Sequence, residues 1–510
     1  MTNDPQSLVA LVDEATRRGI TLWAAADGKL GFRAPNGALT NELRANLAAH
    51  RDALVDMISG PKVRAHGPIK QVPFLEYYAT GFWKAIRSGK IGVSYTNGPN
   101  WIAQVDGPFS AAAFAASVDF VASRHDILNM TIREFDDMPH FCWERAPSPQ
   151  LVELPAESAA PDSPDLLRVL TDIVWRPFEP EVDILFRPFV VAVSESRHVI
   201  GFVLNHLIGD GFSVGMIREE LLYGYELALT GNLHEPFRPD VQYTDYILAM
   251  NAWLASPARD YRLAYWRRQL DGIAPCKPPV DHVLEADEQS EIGVYDFTYR
   301  PGQTEVVHRL ARELSTTAYF VLVAAYARAL SVITGQPDVA IVSLYHGRDN
   351  PAITTTIGSM QNQLLLRIPA AQNQPFKSLV RECQRIQNEA LEFQFPLGPI
   401  CQLTPGAPPQ TAYPELNCSF ASTPAVRATP PAAMHSDLRS RTKPYPVPNP
   451  NGNATRAREF PGIKLALRAD DSAIRGCLVY LASEYDAPTI AHLAALIASV
   501  EPAEHRFAVG

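Results

Sequence analysis

Cysteine is scarce in this chain. There are six in 510 residues, at 142, 276, 383, 401, 418 and 477, and no two form a Cys-x-x-Cys pair. That spacing excludes a zinc ribbon and a thioredoxin-like redox pair and offers no disulfide framework, so a reduced, cytoplasmic protein with no bound metal is expected. Long apolar runs are missing as well. No window approaches the roughly 18 uninterrupted apolar residues that a membrane-spanning helix needs, so no membrane association is expected. The opening MTNDPQSLVALVDEATRRG carries no basic residue ahead of its apolar ones and does not read as a signal peptide. Positive charge is in deficit: 45 Lys and Arg stand against 55 Asp and Glu, a net charge of -10. A nucleic-acid binder would need a strong basic patch, so no nucleic-acid partner is expected. There is no G-x-G-x-x-G after a predicted strand, no G-x-x-x-x-G-K-[ST] and no G-x-S-x-G, which removes the usual nucleotide and hydrolase signatures.

What is present is an ordinary globular composition, 46% hydrophobic and 20% charged. At ~100–200 residues per domain the length suggests about three units. Residues 1–58 read as a small unit of their own. Leu8, Leu11, Val12 and Ala15 recur at helical spacing, and Gly19 suits the position just past the helix end. ITLWAAADGKLGFRA follows, two short strands around Asp27-Gly28, a strong hairpin signal. On its second strand Leu30 and Phe32 alternate with Lys29, Gly31 and Arg33, which predicts one apolar and one basic face. A single second helix is then expected, capped by Thr40, with Leu43, Leu47, Leu54 and Ile58 along one side. Some 60 residues hold too little core for an enzyme and suit a docking module. Residues 59–66 read as a linker.

Beyond the linker, strand and helix patterns alternate, which predicts an α/β fold, and the chain reads as two halves, 67–270 and 271–510. Residues 403–462 are Pro-rich and irregular, and a loop of that length inside a domain is usually functional or mobile.

The chemistry concentrates in VIGFVLNHLIGDGFS, residues 199–213. An apolar strand ends in Asn205-His206, and Asp210-Gly211 open the next helix. A neutral imidazole can accept a proton near neutral pH, which makes His206 a candidate base; a hydrogen-bonded core histidine is the plain alternative. Asp210 is either a second acid or a structural anchor, and Gly211 either a plain turn glycine or an amide donor to an oxyanion.

Asn205-His206-Leu-Ile-Gly-Asp210-Gly211 resembles the His-His-x-x-x-Asp-Gly motif of the condensation domains of nonribosomal peptide synthetases. Arg124-His125-Asp126-Ile-Leu128, Tyr243-Thr-Asp245-Tyr246, Tyr265-Trp266, Gly347-Arg348 and Ile357-Gly358-Ser-Met-Gln-Asn362 resemble further motifs of that family, in the family's order. The resemblance covers roughly residues 67–502. It implies two chloramphenicol-acetyltransferase-like lobes in a V, with His206 as the base in a tunnel between them. It also implies that Asp210 pairs with an arginine, for which Arg348 is the candidate, and that Arg124 and His125 tie the fold together. Asn205 departs from the family's first His, so the local hydrogen bonding must differ. It is not the Asp of the heterocyclising relatives, which disfavours cyclisation.

Residues 1–58 resemble the αββα β-hairpin docking domains of such assembly lines. The resemblance implies that an upstream acyl or peptidyl carrier protein docks through a short linear motif at its C-terminus, with Lys29 and Arg33 facing it. No cofactor is expected on this chain; phosphopantetheine would come on the carrier, and a small molecule would be the acceptor. The chain ends where such a domain ends, which suggests a free-standing enzyme releasing its acyl chain onto a hydroxyl as an ester. The alternatives are a coenzyme-A-dependent acyltransferase, which would not need a docking unit, and a catalytically inactive docking scaffold.

Overall fold

The computed structural model describes residues 5–25, 29–60, 62–75, 83, 97–155, 163–179, 181–233, 238–283, 289–369, 371–403, 406, 413–420, 437–448, 454–456, 462–470 and 472–500. The Asp27-Gly28 turn lies outside them.

The N-terminal unit runs α1 (Pro5–Arg17), β1 (Thr21–Ala24), β2 (Leu30–Arg33), α2 (Asn41–Ala49) and α3 (Arg51–Ile58). Gly19 closes α1 at φ 72°, a conformation that costs a glycine little. Thr40 caps α2, its hydroxyl accepting the Leu43 amide at 3.2 Å. The single second helix expected from the sequence is broken at His50, whose φ and ψ of -107° and 16° end α2. Asp52 then lies in the first turn of α3, where a carboxylate suits the helix's positive end. The hairpin also departs from the expected two faces. Trp23 pairs with Gly31, and a Cβ on Gly31 would fall 2.3 Å from the indole, so Trp23 lies across the strand on the face that carries Arg33. On the opposite face Leu22 is buried while Phe32, its cross-strand partner, is exposed.

The first lobe begins with β3 (Gln71–Pro73), β4 (Asn97–Asp106), α4 (Ala111–Arg124), β5 (Met130–Phe135), β6 (Met138–Trp143) and β7 (Gln150–Glu153). It continues with α5 (Pro164–Trp175), β8 (Phe186–Ser194), β9 (Arg197–Asn205), α6 (Gly211–Leu229) and α7 (Tyr243–Leu254). The rest comprises α8 (Ala258–Leu270), β10 (Gln289–Thr298), α9 (Pro301–Glu313), α10 (Ala318–Thr334), β11 (Asp338–Tyr345), β12 (Asn362–Pro369), α11 (Phe376–Glu392), α12 (Leu397–Leu403) and β13 (Glu415–Phe420). The last elements are α13 (Asp437–Arg441), β14 (Thr442–Pro444), β15 (Ala454–Arg456), β16 (Ile463–Ala469), β17 (Ile474–Leu481) and α14 (Ala487–Ala498).

Each lobe holds a sheet. The first has the order β14-β4-β9-β8-β7, with β9 in the centre, and the second β12-β11-β13-β16-β17-β10-β15. Two features differ from the sequence reading. The pattern places α8 in the first lobe, yet Leu263, Tyr265, Trp266 and Leu270 bury in the second lobe's core, and the Trp266 indole donates to the Phe393 carbonyl at 2.7 Å. The Pro-rich stretch 403–462 is not one irregular loop. Its β14 crosses over and pairs antiparallel with β4 of the first lobe, while Leu438 buries in that lobe's core. Pro444 hides this strand in the sequence; it is tolerated because β14 lies at a sheet edge. Ile353, Ile357 and Met360 from the second half also pack into the first core. The lobes are therefore knit together at two places.

The N-terminal unit is not loosely hung. Tyr261 of α8 completes its core, and Arg268 of α8 donates to Asp13 of α1 at 3.1 Å. His66 in the linker meets Asp245 with both its backbone N–H, at 2.9 Å, and its Nδ1, at 3.0 Å.

Candidate active site

The site is built where the central strand of the first lobe gives way to α6. Val199 to Leu204 are almost wholly buried, so β9 delivers its C-terminal end rigidly. Asn205 is fully buried and turns the chain: its Oδ1 accepts the Leu207 amide at 3.0 Å, and its carbonyl accepts the Ile208 amide at 3.0 Å. Its Nδ2 meets no acceptor among the described residues. An amide side chain thus makes the Asx turn that swings His206 out of the strand.

His206 is half-buried and makes no hydrogen bond among the described residues. Its ring lies against Gly98: a Cβ there would fall 3.0 Å from both Cβ and Cδ2 of the histidine. The β4–β9 register slips at this place, so that Gly98 and Pro99 oppose a single residue of β9. Such a bulge is a common device beside active sites. In the sequence, Asn97-Gly98-Pro99 reads as a turn-like interruption of a strand, the one signal that could have marked it.

Asp210 faces away from this open imidazole. Its Oδ1 caps α6 by accepting from the Ser213 amide and hydroxyl, each at 2.9 Å. Arg348 grips it in a bidentate pair, Nη1 to Oδ2 at 2.8 Å and Nη2 to Oδ1 at 3.0 Å, and the Met360 amide adds a contact to Oδ2 at 3.2 Å. Arg348 also donates to the Gly358 carbonyl at 2.9 Å. The two side chains are only 1% and 2% exposed, so every carboxylate oxygen is spoken for inside protein. Gly211, at the first position of α6, is exposed, and the space where a Cβ would sit is open. Its φ is not positive, so the absence of a side chain there keeps space clear and is not demanded by a turn.

Two further residues came with no clear sequence signal. His346 stands beside Gly347-Arg348, its ring 5.1 Å from that of Phe212 across the lobe junction. Its Nδ1 accepts the Arg348 amide at 3.0 Å, which places the neutral ring's proton on Nε2; burial and the Arg348 charge push its pKa below the usual histidine range. Glu220 of α6 receives Arg124 Nε at 3.1 Å and His125 Nε2 at 2.9 Å. Burial raises its pKa, but these two partners more than offset that and hold the carboxyl below its ordinary value. Arg124 and His125 thus tie the end of α4 to α6.

The structure brings His206, Asn205, Asp210, Gly211 and Arg348 together. Lys29 and Arg33 lie on the separate hairpin. A half-buried imidazole just past the end of β9, with no hydrogen-bond partner among the described residues, suits proton transfer to or from a bound ligand. Residues 100–412 match the model of the condensation domain, and residues 8–58 that of the TubC N-terminal docking domain. The chain belongs to the condensation-domain family. This condensation domain is 30% identical over 278 residues to surfactin synthase subunit 1 of Bacillus subtilis (strain 168), covering 54% of this chain and 7% of that one. It is 26% identical over 290 residues to the beauvericin nonribosomal cyclodepsipeptide synthetase of Beauveria bassiana, covering 56% and 9%. The chain therefore spans less than a tenth of the length of these relatives. Among solved structures it is similar to one describing condensation-domain-mediated chain release from the enacyloxin polyketide synthase, at a TM-score of 0.65 and 21% identity, covering 96% of this chain and 94% of the other. The X-domain from teicoplanin biosynthesis superposes at a TM-score of 0.69 with 21% identity, covering 86% and 96%. Both share the two-lobed, chloramphenicol-acetyltransferase-like fold.

Proposed function

We propose that this condensation domain transfers an acyl group from a carrier-protein thioester onto a hydroxyl, releasing the chain as an ester. The observation that carries the reading is the His206 imidazole just past the end of β9, with no hydrogen-bond partner among the described residues. The acceptor O–H donates to His206 while its oxygen attacks the thioester carbonyl. The tetrahedral oxyanion forms near the amide of Gly211, at the positive end of α6. The C–S bond then breaks, and the imidazolium returns its proton to the departing thiolate, leaving ester and free thiol. The thioester supplies the driving force, and the phosphopantetheine arm arrives on the carrier. The likeness to a chain-release structure supports release over elongation.

The test is to load a carrier protein with an acyl thioester, offer hydroxyl and amine acceptors in turn, and follow loss of the acyl group by intact-protein mass spectrometry. Hydroxyl acceptors should discharge the carrier faster. Preferential reaction with amino acids overturns the ester reading, and discharge by neither overturns transfer.

The N-terminal hairpin is the recruiting surface in this reading. Beyond β1, no described strand pairs with β2, and an extended peptide can add there as a further strand. Arg33, with Lys29 at the strand's start, gives this edge positive charge for an acidic, partly apolar tail, and Trp23 supplies an exposed ring on the Arg33 face. A contact of this size should be micromolar, roughly -8 kcal/mol. Deleting the unit would uncover Tyr261, so charge reversal is the cleaner probe. Lys29→Glu with Arg33→Glu should raise KM for the carrier-bound donor about tenfold, about 1.4 kcal/mol, and leave a small pantetheine thioester unaffected. An equal loss with both donors would contradict recruitment.

A further inference from the structure

The lobe junction carries a second imidazole, His346, to which the acyl-transfer step above gives no role. It follows β11 of the second lobe, and its ring centre lies 4.4 Å from that of Tyr345 and 5.1 Å from that of Phe212. Phe212 comes directly after Gly211, so His346 packs on the helix start that Asp210 caps and His206 precedes. The backbone beside it is fixed. Gly347 has a φ of 70°, and a Cβ there would fall 1.9 Å from the Met360 carbonyl oxygen, so only glycine lets the chain pass. Arg348, one residue further, is locked onto Asp210.

The two imidazoles differ in what they can do. His346 Nδ1 accepts the Arg348 amide at 3.0 Å, so the proton of the neutral ring sits on Nε2. Its lone pair is taken, and the ring can donate but has no free nitrogen to act as a base. His206 has both nitrogens without a partner among the described residues. His346 Nε2 meets no partner there either, and unlike the sealed Nδ2 of Asn205 it is not closed off from solvent. Burial and the Arg348 charge lower the His346 pKa, so near neutral pH the ring offers a neutral N–H and no positive charge. An uncharged oxygen suits such a donor better than a carboxylate, for which a cation is the stronger partner. Resting on the acyl-transfer reading, we infer that His346 holds the acyl acceptor through a second, uncharged oxygen, its Nε2–H donating to that oxygen while His206 takes the proton of the hydroxyl that attacks. The acceptor class is then a diol or polyol and not a simple alcohol. His346 keeps its proton throughout, so the bonds made and broken are those already described.

The test uses the full chain, a loaded carrier, and glycerol and n-propanol as acceptors, which share a three-carbon body and differ in the extra hydroxyls. The readout is kcat/KM for glycerol divided by that for n-propanol, in which a general loss of activity cancels. His346→Asn keeps an oxygen that can accept the Arg348 amide two residues on, as in an Asx turn, and removes the Nε2 donor. It should lower the ratio about tenfold, the size of one hydrogen bond. His346→Gln keeps an N–H at the reach of Nε2 and loses the Nδ1 acceptor, and it should retain most of the ratio. A residue that served only to hold the Arg348 amide would give the reverse: a wild-type His346→Asn and a damaged His346→Gln. Nitrogen spectra of isotope-labelled histidine side chains, with His346 assigned from its absence in His346→Asn, report the contact without any transfer. Glycerol should shift the His346 Nε2 resonance and n-propanol should not. An unchanged ratio in His346→Asn, or an Nε2 resonance that glycerol leaves in place, would overturn the inference. A wild type that shifts with glycerol yet transfers to neither acceptor would overturn the acyl-transfer reading and leave the His346 contact standing.

Discussion

His206→Ala is expected to slow acyl transfer by about 10²–10⁴-fold, the range for loss of a positioned general base, with the fold intact. The imidazole makes no hydrogen bond among the described residues, so its removal orphans no buried group there. The turn that presents it is held by its neighbours: Asn205 Oδ1 on the Leu207 amide, and the Asp210 cap on Ser213. Neither involves the histidine side chain. The melting temperature should therefore stay within a degree or two, and binding of the loaded carrier should be unchanged, because Lys29 and Arg33 lie on another unit. The loss should fall on kcat and leave KM for the donor near its wild-type value, as for an interaction realised only in the transition state. Single-turnover transfer from a loaded carrier gives the rate directly. A folded variant retaining a tenth or more of the wild-type rate would reduce His206 to a group that merely positions the acceptor.

This site was legible in the sequence to the extent that one short segment encodes it. A strand-period run ending in Asn205-His206, with Asp210-Gly211 four residues on, fixes a strand, a tight connection and a capped helix, and the structure builds those elements at those residues. The Arg348 partner came from family resemblance, since no periodicity links positions 210 and 348. What stayed hidden depends on long-range packing. Gly98 borders His206 only because β4 lies beside β9 with a bulge, and a glycine next to a proline reads equally well as a loop. His346 matters through its contact with Phe212 on the other lobe. The helical pattern of α8 was clear, but periodicity does not say which of two cores receives a helix, and the aromatic face of α8 chose the second. The strand β14 contributes three residues to a sheet formed largely by residues more than 200 positions earlier, and its Pro444 argues locally against a strand.

Asp210→Ala should unfold the protein more readily while acting on the chemistry only indirectly. The carboxylate accepts from Arg348 Nη1 and Nη2, the Ser213 amide and hydroxyl, and the Met360 amide, and no edge of it reaches an open space. Removing it leaves the Arg348 guanidinium buried without its counter-charge and takes the cap from α6. Breaking one side of a buried pair costs about 3–5 kcal/mol, and losing a helix cap about 1 kcal/mol more. Arg348→Met should cost a similar amount for the pair, since it strands Asp210 instead. The two effects should not add: the double variant Asp210→Ala, Arg348→Met removes both charges together and should be more stable than either single variant, because no uncompensated ion remains. Chemical denaturation of the four proteins gives the coupling, and transfer rates well below each melting point give the functional side. Activity should track stability, partly returning in the double variant, because what Asp210 supplies is a fixed start to α6 under His206. A variant with unchanged melting and no activity would instead make Asp210 a participant in proton transfer, and a double variant that stayed inactive while regaining stability would say the same.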